Sequence, residues 1–107
     1  MKTVWLVYNS REYYDGGADP LLVCRGEQTA NRAAERINAF ARRLRERIDA
    51  LQVFANEISE EEHGRRWEKR RAMLQRARWP FGIKRDECES LDLEVKAMPL
   101  PFVREQR

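Results

Sequence analysis

The chain of 107 residues carries one histidine, His63, and two cysteines, Cys24 and Cys88. Three such side chains are too few for a four-ligand zinc site without carboxylate help. His63 stands among Glu60, Glu61, Glu62 and Arg65, the setting of a solvated helix residue rather than a general base. Neighbouring residues on a helix point in different directions, and no further ligand follows His63 three or four positions on, so no metal site is expected there. Hydrolytic chemistry needs a nucleophile, a base and an orienting group, and these residues do not supply that set. Glycine is also scarce, at five residues. Asp15-Gly16-Gly17 precedes a strand rather than a helix, so it fails the context of a phosphate-binding loop and reads as a turn. Long apolar runs are missing. Nothing approaches the roughly 20 residues a membrane span needs, and Met1-Lys2-Thr3 leads into only a short apolar stretch, unlike a signal peptide. These absences predict a cytoplasmic, non-enzymatic protein with no cofactor, no metal and no membrane partner.

Excess charge of one sign is modest as well. With 21 basic and 18 acidic residues the formal net charge is +3, which permits contact with a polyanion without demanding it. A mimic of DNA would be strongly acidic, and this chain is not. The composition, 36% charged and 42% hydrophobic, suits one folded, helix-rich domain spanning residues 1–107. Most of the basic residues are arginine. A coding bias accounts for that more readily than bidentate recognition of carboxylate or phosphate does. Cys24, in an apolar run, reads as a small buried hydrophobe. Cys88 has acidic neighbours that would raise its thiol pKa. A disulfide between the two stays open.

What the chain does possess is a long amphipathic stretch from Glu27 to Ile58. Its apolar positions include Ala30, Ala33, Ala34, Ile37, Ala41, Leu44, Ile48, Leu51, Ala55 and Ile58. From Ile37 onward the steps alternate four and three, the seam of a helix packed along its length. Unbroken, it would run about 45 Å, more than a β-hairpin can cover. The half from Ala41 to Ile58 therefore needs a second partner, either another helix or a second copy of the chain in a homodimer. Ser59-Glu60-Glu61-Glu62 has the pattern of a capping box, and Pro80 stops what it starts. A second helix from Glu60 to Trp79 is predicted. An antiparallel helical hairpin over 27–79 is the preferred arrangement, with a kinked continuous helix as the alternative.

Strands flank this helical region. Thr3 to Tyr8 is β-branched and aromatic. The connection from Arg11 to Pro20 holds Tyr13, Tyr14 and the Asp-Gly-Gly turn, and Leu21 to Cys24 returns antiparallel. Leu91 to Met98 alternates with period two, which predicts a half-buried strand ended by Pro99 and Pro101, with 99–107 as a tail. Asp86, Glu87, Glu89, Asp92 and Glu94 read as a solvated edge that discourages strand pairing. The expected fold is α+β: a small antiparallel three-stranded sheet packed on a long helix extended into a helical hairpin.

Two groups of residues point toward binding. Arg65, Arg66, Lys69, Arg70, Arg71, Arg76 and Arg78 could form a basic face for nucleic-acid backbone. The plainer reading pairs them with Glu46, Asp49, Glu57, Glu62 and Glu68, each pair contributing little. Tyr13, Tyr14, Trp67, Trp79 and Phe81 are candidate anchors of a protein interface, since aromatics and arginine dominate binding hot spots. Trp79 also fits the core, within an aromatic turn that covers one end of it.

The Val4-Trp5-Leu6-Val7-Tyr8 strand, the tyrosine-bearing turn, the second strand, the alanine-rich helix and Leu91-Asp92-Leu93-Glu94-Val95 together resemble small phage and prophage proteins of ββα…β layout. The resemblance covers Met1 to about Phe40 and Leu91 to Met98. Arg42 to Glu89 departs from it as a longer helical insertion. It implies a viral accessory protein that binds and modulates a protein complex, an inhibitor of host defence such as an anti-CRISPR being one form. It carries over no site residues.

Overall fold

A computed structural model describes residues 3–12, 20–86 and 90–101. The fold is α+β. β1 (Thr3–Asn9) lies at the centre of a sheet, with β2 (Leu22–Cys24) on one side and β3 (Val95–Pro101) on the other, both antiparallel to it. Helix α1 (Glu27–Asp49) crosses one face of this sheet, and α2 (Glu60–Arg76) follows. The expected Asp15-Gly16-Gly17 turn, Cys88 and the segment Phe102–Arg107 lie outside the described residues. Cys24 is a free thiol and half-buried.

The odd-numbered face of β1 meets α1. Val7 and Val95 are buried there against Ala30, Ala33, Ala34 and Ile37, with Trp5 and Ala97 at the margin. The alanines let the helix approach the sheet closely, and Ile37, wholly buried, contributes about 1.5–3 kcal/mol. Two asparagines tie the edges of this core. Asn38 on α1 donates to the carbonyl of Val95 (3.0 Å) and accepts from its N–H (2.8 Å), imitating a neighbouring strand. Asn9, buried at the end of β1, accepts from the backbone N–H of Glu94 (3.0 Å).

Helix α1 ends earlier than the apolar seam predicts. Ala50 caps it. Leu51 and Gln52 then bond three residues back, to Ile48 and Asp49, in a tightened last turn. Gln52 takes a positive φ of 53°, and the chain doubles back over Val53, which is buried. The seam thus finds its cover inside one chain. Ala41, Leu44 and Ile48 are all buried, so they offer no surface to a second copy, and the homodimer expected through residues 41–58 loses its contact strip. Leu51, Ala55 and Ile58 are left half-buried in the connection.

Helix α2 starts where the capping pattern places it: the Ser59 hydroxyl accepts from the N–H of Glu62 at 3.1 Å. It stops at Arg76 rather than Trp79, because a residue preceding proline avoids the helical region and the chain is already extended at Ala77. Only Leu74 of this helix is buried.

β3 corrects a second boundary. It begins at Val95, not Leu91, and runs through Pro99 and Pro101 instead of ending before them. The Ser10 N–H donates to the Glu94 carbonyl at 2.9 Å, one position beyond the Asn9–Val95 pair. Since hydrogen-bonded and non-bonded pairs alternate along an antiparallel ladder, Trp5–Pro99 and Thr3–Pro101 are non-bonded pairs. The prolines turn their missing donors away from β1, the position where an edge strand tolerates them.

Candidate interaction surfaces

The sheet has a second face, made by Val4, Leu6 and Tyr8 of β1 with their cross-strand neighbours Val23, Met98, Leu100 and Lys96. Six of these seven side chains are aliphatic or aromatic. Among the described residues, the buried core includes no side chain from this face. Val23 is 59% exposed, and the others except Lys96 are half-buried. A contiguous apolar surface of this kind carries information that a lone exposed leucine does not. The outer edge of β3, by contrast, is poor in donors. Asn38 occupies Val95, Pro99 and Pro101 have no N–H, and of that edge's donors only Ala97 remains. An added strand would find a single backbone donor to pair with.

The basic stretch of α2 does not form one face. Arg65 donates to Glu62 Oε1 (2.9 Å). Arg66 donates to Glu62 Oε2 (2.9 Å) and to the Gln52 carbonyl (3.1 Å), which fastens the interhelical connection to α2. The two guanidinium groups hold the Glu62 carboxyl below its ordinary pKa, the Arg66 hydrogen bond more than that of Arg65. Arg70 lies over the ring of Trp67, 5.3 Å from its centroid, and Arg71 is exposed on the same side of the helix as Trp67. Lys69 and Arg76 share the opposite edge. Among the described residues Glu46, Asp49 and Glu57 enter no ion pair, so the predicted cross-helix pairing is absent; the pairs formed elsewhere are Arg45 and Arg11 with Asp92 and Arg85 with Glu12.

Lys69, Ala72, Met73 and Arg76 recur at helical spacing and face Phe40, Arg43, Leu44 and Arg47 of α1 across a cleft of about 680 Å³. Ala77 and Arg78 close one end. Phe40, Leu44, Ala72, Met73 and Ala77 form an apolar floor. Every charged residue lining the cleft is a cation: Arg43, Arg47, Lys69, Arg76 and Arg78, all exposed. The hollow on the other side of α1, about 690 Å³, differs. Arg45, Asp49, Arg70 and Asp92 balance one another there, with Arg45 3.3 Å from Asp92. A smaller hollow beside Lys69 contains Glu62 between Arg65 and Arg66.

The candidate aromatic anchors divide. Trp79 is only 8% exposed and packs on Phe40 with ring centroids 4.8 Å apart. It belongs to the core and is no surface anchor, because the extended 77–79 segment turns it inward ahead of Pro80. Phe81, 47% exposed, adopts a positive φ of 61° and lies beneath Arg36, 5.0 Å from its guanidinium carbon. Trp67 is half-buried. Its indole N–H donates to His63 Nε2 at 3.1 Å, and its ring meets Phe54 edge-on at 5.4 Å. Phe54 is 79% exposed. Tyr13 and Tyr14 lie outside the described residues.

Several residues escaped the sequence reading. The second sheet face had a signal, since an uninterrupted apolar run such as Val4 to Tyr8 is the pattern of a strand buried on both sides. Arg43 and Arg47 had none until α2 was placed beside them. Among the described residues no three His, Cys, Asp or Glu side chains gather as a metal site, and no helix is long and apolar enough to cross a membrane. Comparison with protein-family models, curated proteins and solved structures finds no match to this chain.

Proposed function

We propose that the chain is a non-enzymatic protein-interaction module of the cytoplasm that binds and modulates a protein complex. The apolar face of the sheet opposite α1 carries this reading: its central strand has the composition of a strand covered twice, and among the described residues α1 covers it once. The donor-poor β3 edge argues against a partner adding a strand on that side of the sheet. His63, the one imidazole, is exposed and spends Nε2 on Trp67, which supports a binding role over catalysis. In the phage setting that the β1, α1 and β3 patterns suggest, the complex belongs to the host, and a defence assembly of the CRISPR type is the first to try.

The test places a photo-crosslinking side chain at Val23, on the apolar face, and at Arg42, an exposed α1 position away from it. The expected result is one stoichiometric adduct with a foreign protein from host extract at Val23 and none at Arg42. Equal labelling at both positions, or an adduct made only of a second copy of the chain, overturns the reading.

A further inference from the structure

We propose that the cleft between α1 and α2 is a docking groove for an acidic amphipathic helix of another protein. This goes beyond the sheet-face reading and uses a different surface. The five charged side chains around the groove, Arg43, Arg47, Lys69, Arg76 and Arg78, are all positive, and among the described residues none of them has an ion-pair partner. On α1 the same edge continues toward the N-terminus as Arg36 and Arg32, seven and eleven positions before Arg43, while Glu35, Glu46 and Asp49 fall on other sides of the helix. Like charges gathered around one cleft repel one another, and an anionic occupant relieves that repulsion.

The floor decides which anion. Phe40, Ala72, Met73 and Ala77, all half-buried, offer an apolar trough above the buried Leu44 between two helices, where a third helix can seat side chains as in a bundle. The lining runs eight residues along each helix, from Phe40 to Arg47 and from Lys69 to Arg76. At 1.5 Å per residue that is about 12 Å, or two turns of an occupant. An occupant with apolar residues at i, i+4 and i+7 and carboxylates on both flanks satisfies floor and rim together. A phosphate backbone would satisfy the rim and leave the floor wet.

The experiment selects displayed random peptides of about 16 residues, long enough for the two-turn contact with flanks, on the intact chain. Two variants serve as counter-targets: R43E/R47E/R76E, which reverses the rim, and A72W, which fills the trough. All four positions of change are at the surface or margin, and circular dichroism checks that both variants fold. The expected winners are rich in Asp and Glu with apolar residues at i, i+4 and i+7. Their affinity falls at least about tenfold in either variant, and falls again when ionic strength rises from about 0.05 to about 0.3 M. Winners without acidic bias, or acidic winners indifferent to A72W, overturn the proposal. So does a mixed-sequence DNA duplex that displaces the peptides and binds more tightly than they do, which reassigns the rim to nucleic acid. Winners lost on Val23→Glu but not on the cleft variants overturn the groove and leave the sheet-face reading standing. No winners on any surface remove the groove, while the Val23 crosslink still decides the sheet face.

Discussion

Helix α1 and helix α2 are both amphipathic by sequence, yet they are held in different ways. α1 buries seven side chains, Ala30, Ala33, Ala34, Ile37, Ala41, Leu44 and Ile48, against the sheet and the returning chain. α2 buries Leu74 alone and otherwise relies on local devices: the Ser59 cap, three acids in its first turn, and the Glu62–Arg65–Arg66 cluster. Burial is the larger source of stability, since local helical contacts contribute tenths of a kcal/mol each. α1 is therefore part of the cooperative core, and α2 is an arm laid along it.

The sharpest way to break that contrast is a pair of truncations. Ile37→Ala should lower global stability by about 2–5 kcal/mol, read from the midpoint of denaturant unfolding with every probe moving together. Leu74→Ala should cost less, about 2 kcal/mol at the low end of the same range. Its effect should appear first as faster amide exchange across Glu60–Arg76, with α1 still protected. Equal loss of protection in both helices after Leu74→Ala would show that α2 is as much core as α1.

The next effect is smaller and confined to one end. Ser59→Ala removes the oxygen that accepts from the Glu62 N–H and should cost about 1 kcal/mol. Faster exchange at Glu62 and His63, with no change at Gln75 and Arg76, would be its mark. Uniform acceleration along α2 would mean that the cap sets the stability of the whole arm.

How much of this was legible beforehand depended on whether a signal is local. The Thr3–Tyr8 strand, the start of α1 at Glu27, the Ser59 cap and the stop before Pro80 are each written within a few residues, and each is where the sequence placed it to within a few positions. The end of α1 at Asp49 was not legible. The apolar steps continue to Ile58 with no Gly or Pro between, and the turn rests on Gln52 in a left-handed conformation that asparagine or glycine would have announced. Pro99 and Pro101 misled for a geometrical reason: proline ends a strand only where its nitrogen faces a neighbour, and that depends on register. The basic groove was half legible. Lys69, Arg76 and Arg78 stood out in a charged run, whereas Arg43 and Arg47 acquired meaning only from the helix opposite.

The smallest expected effect tests whether α2 is held by charge as well as by its cap. Arg66 and Arg65 both donate to Glu62, and they hold its carboxyl below the ordinary value of 4.5. A carboxylate whose pKa is lowered on folding stabilises the folded state fully above its unfolded pKa, and that contribution disappears as pH falls through the lowered one. Because Glu62 is well solvated, the contribution is small and further screened by salt. It should nonetheless be visible locally, as α2 amides losing protection on acidification below the ordinary carboxylate range while α1 amides hold. Arg66→Ala should move the Glu62 titration, followed by carboxyl carbon shift, back up toward 4.5, and should do so more than Arg65→Ala. It should also free the Gln52 carbonyl that Arg66 grips and so loosen the connection between the helices. If Arg65→Ala moves the titration more, Arg65 rather than Arg66 is the main partner of the Glu62 carboxylate.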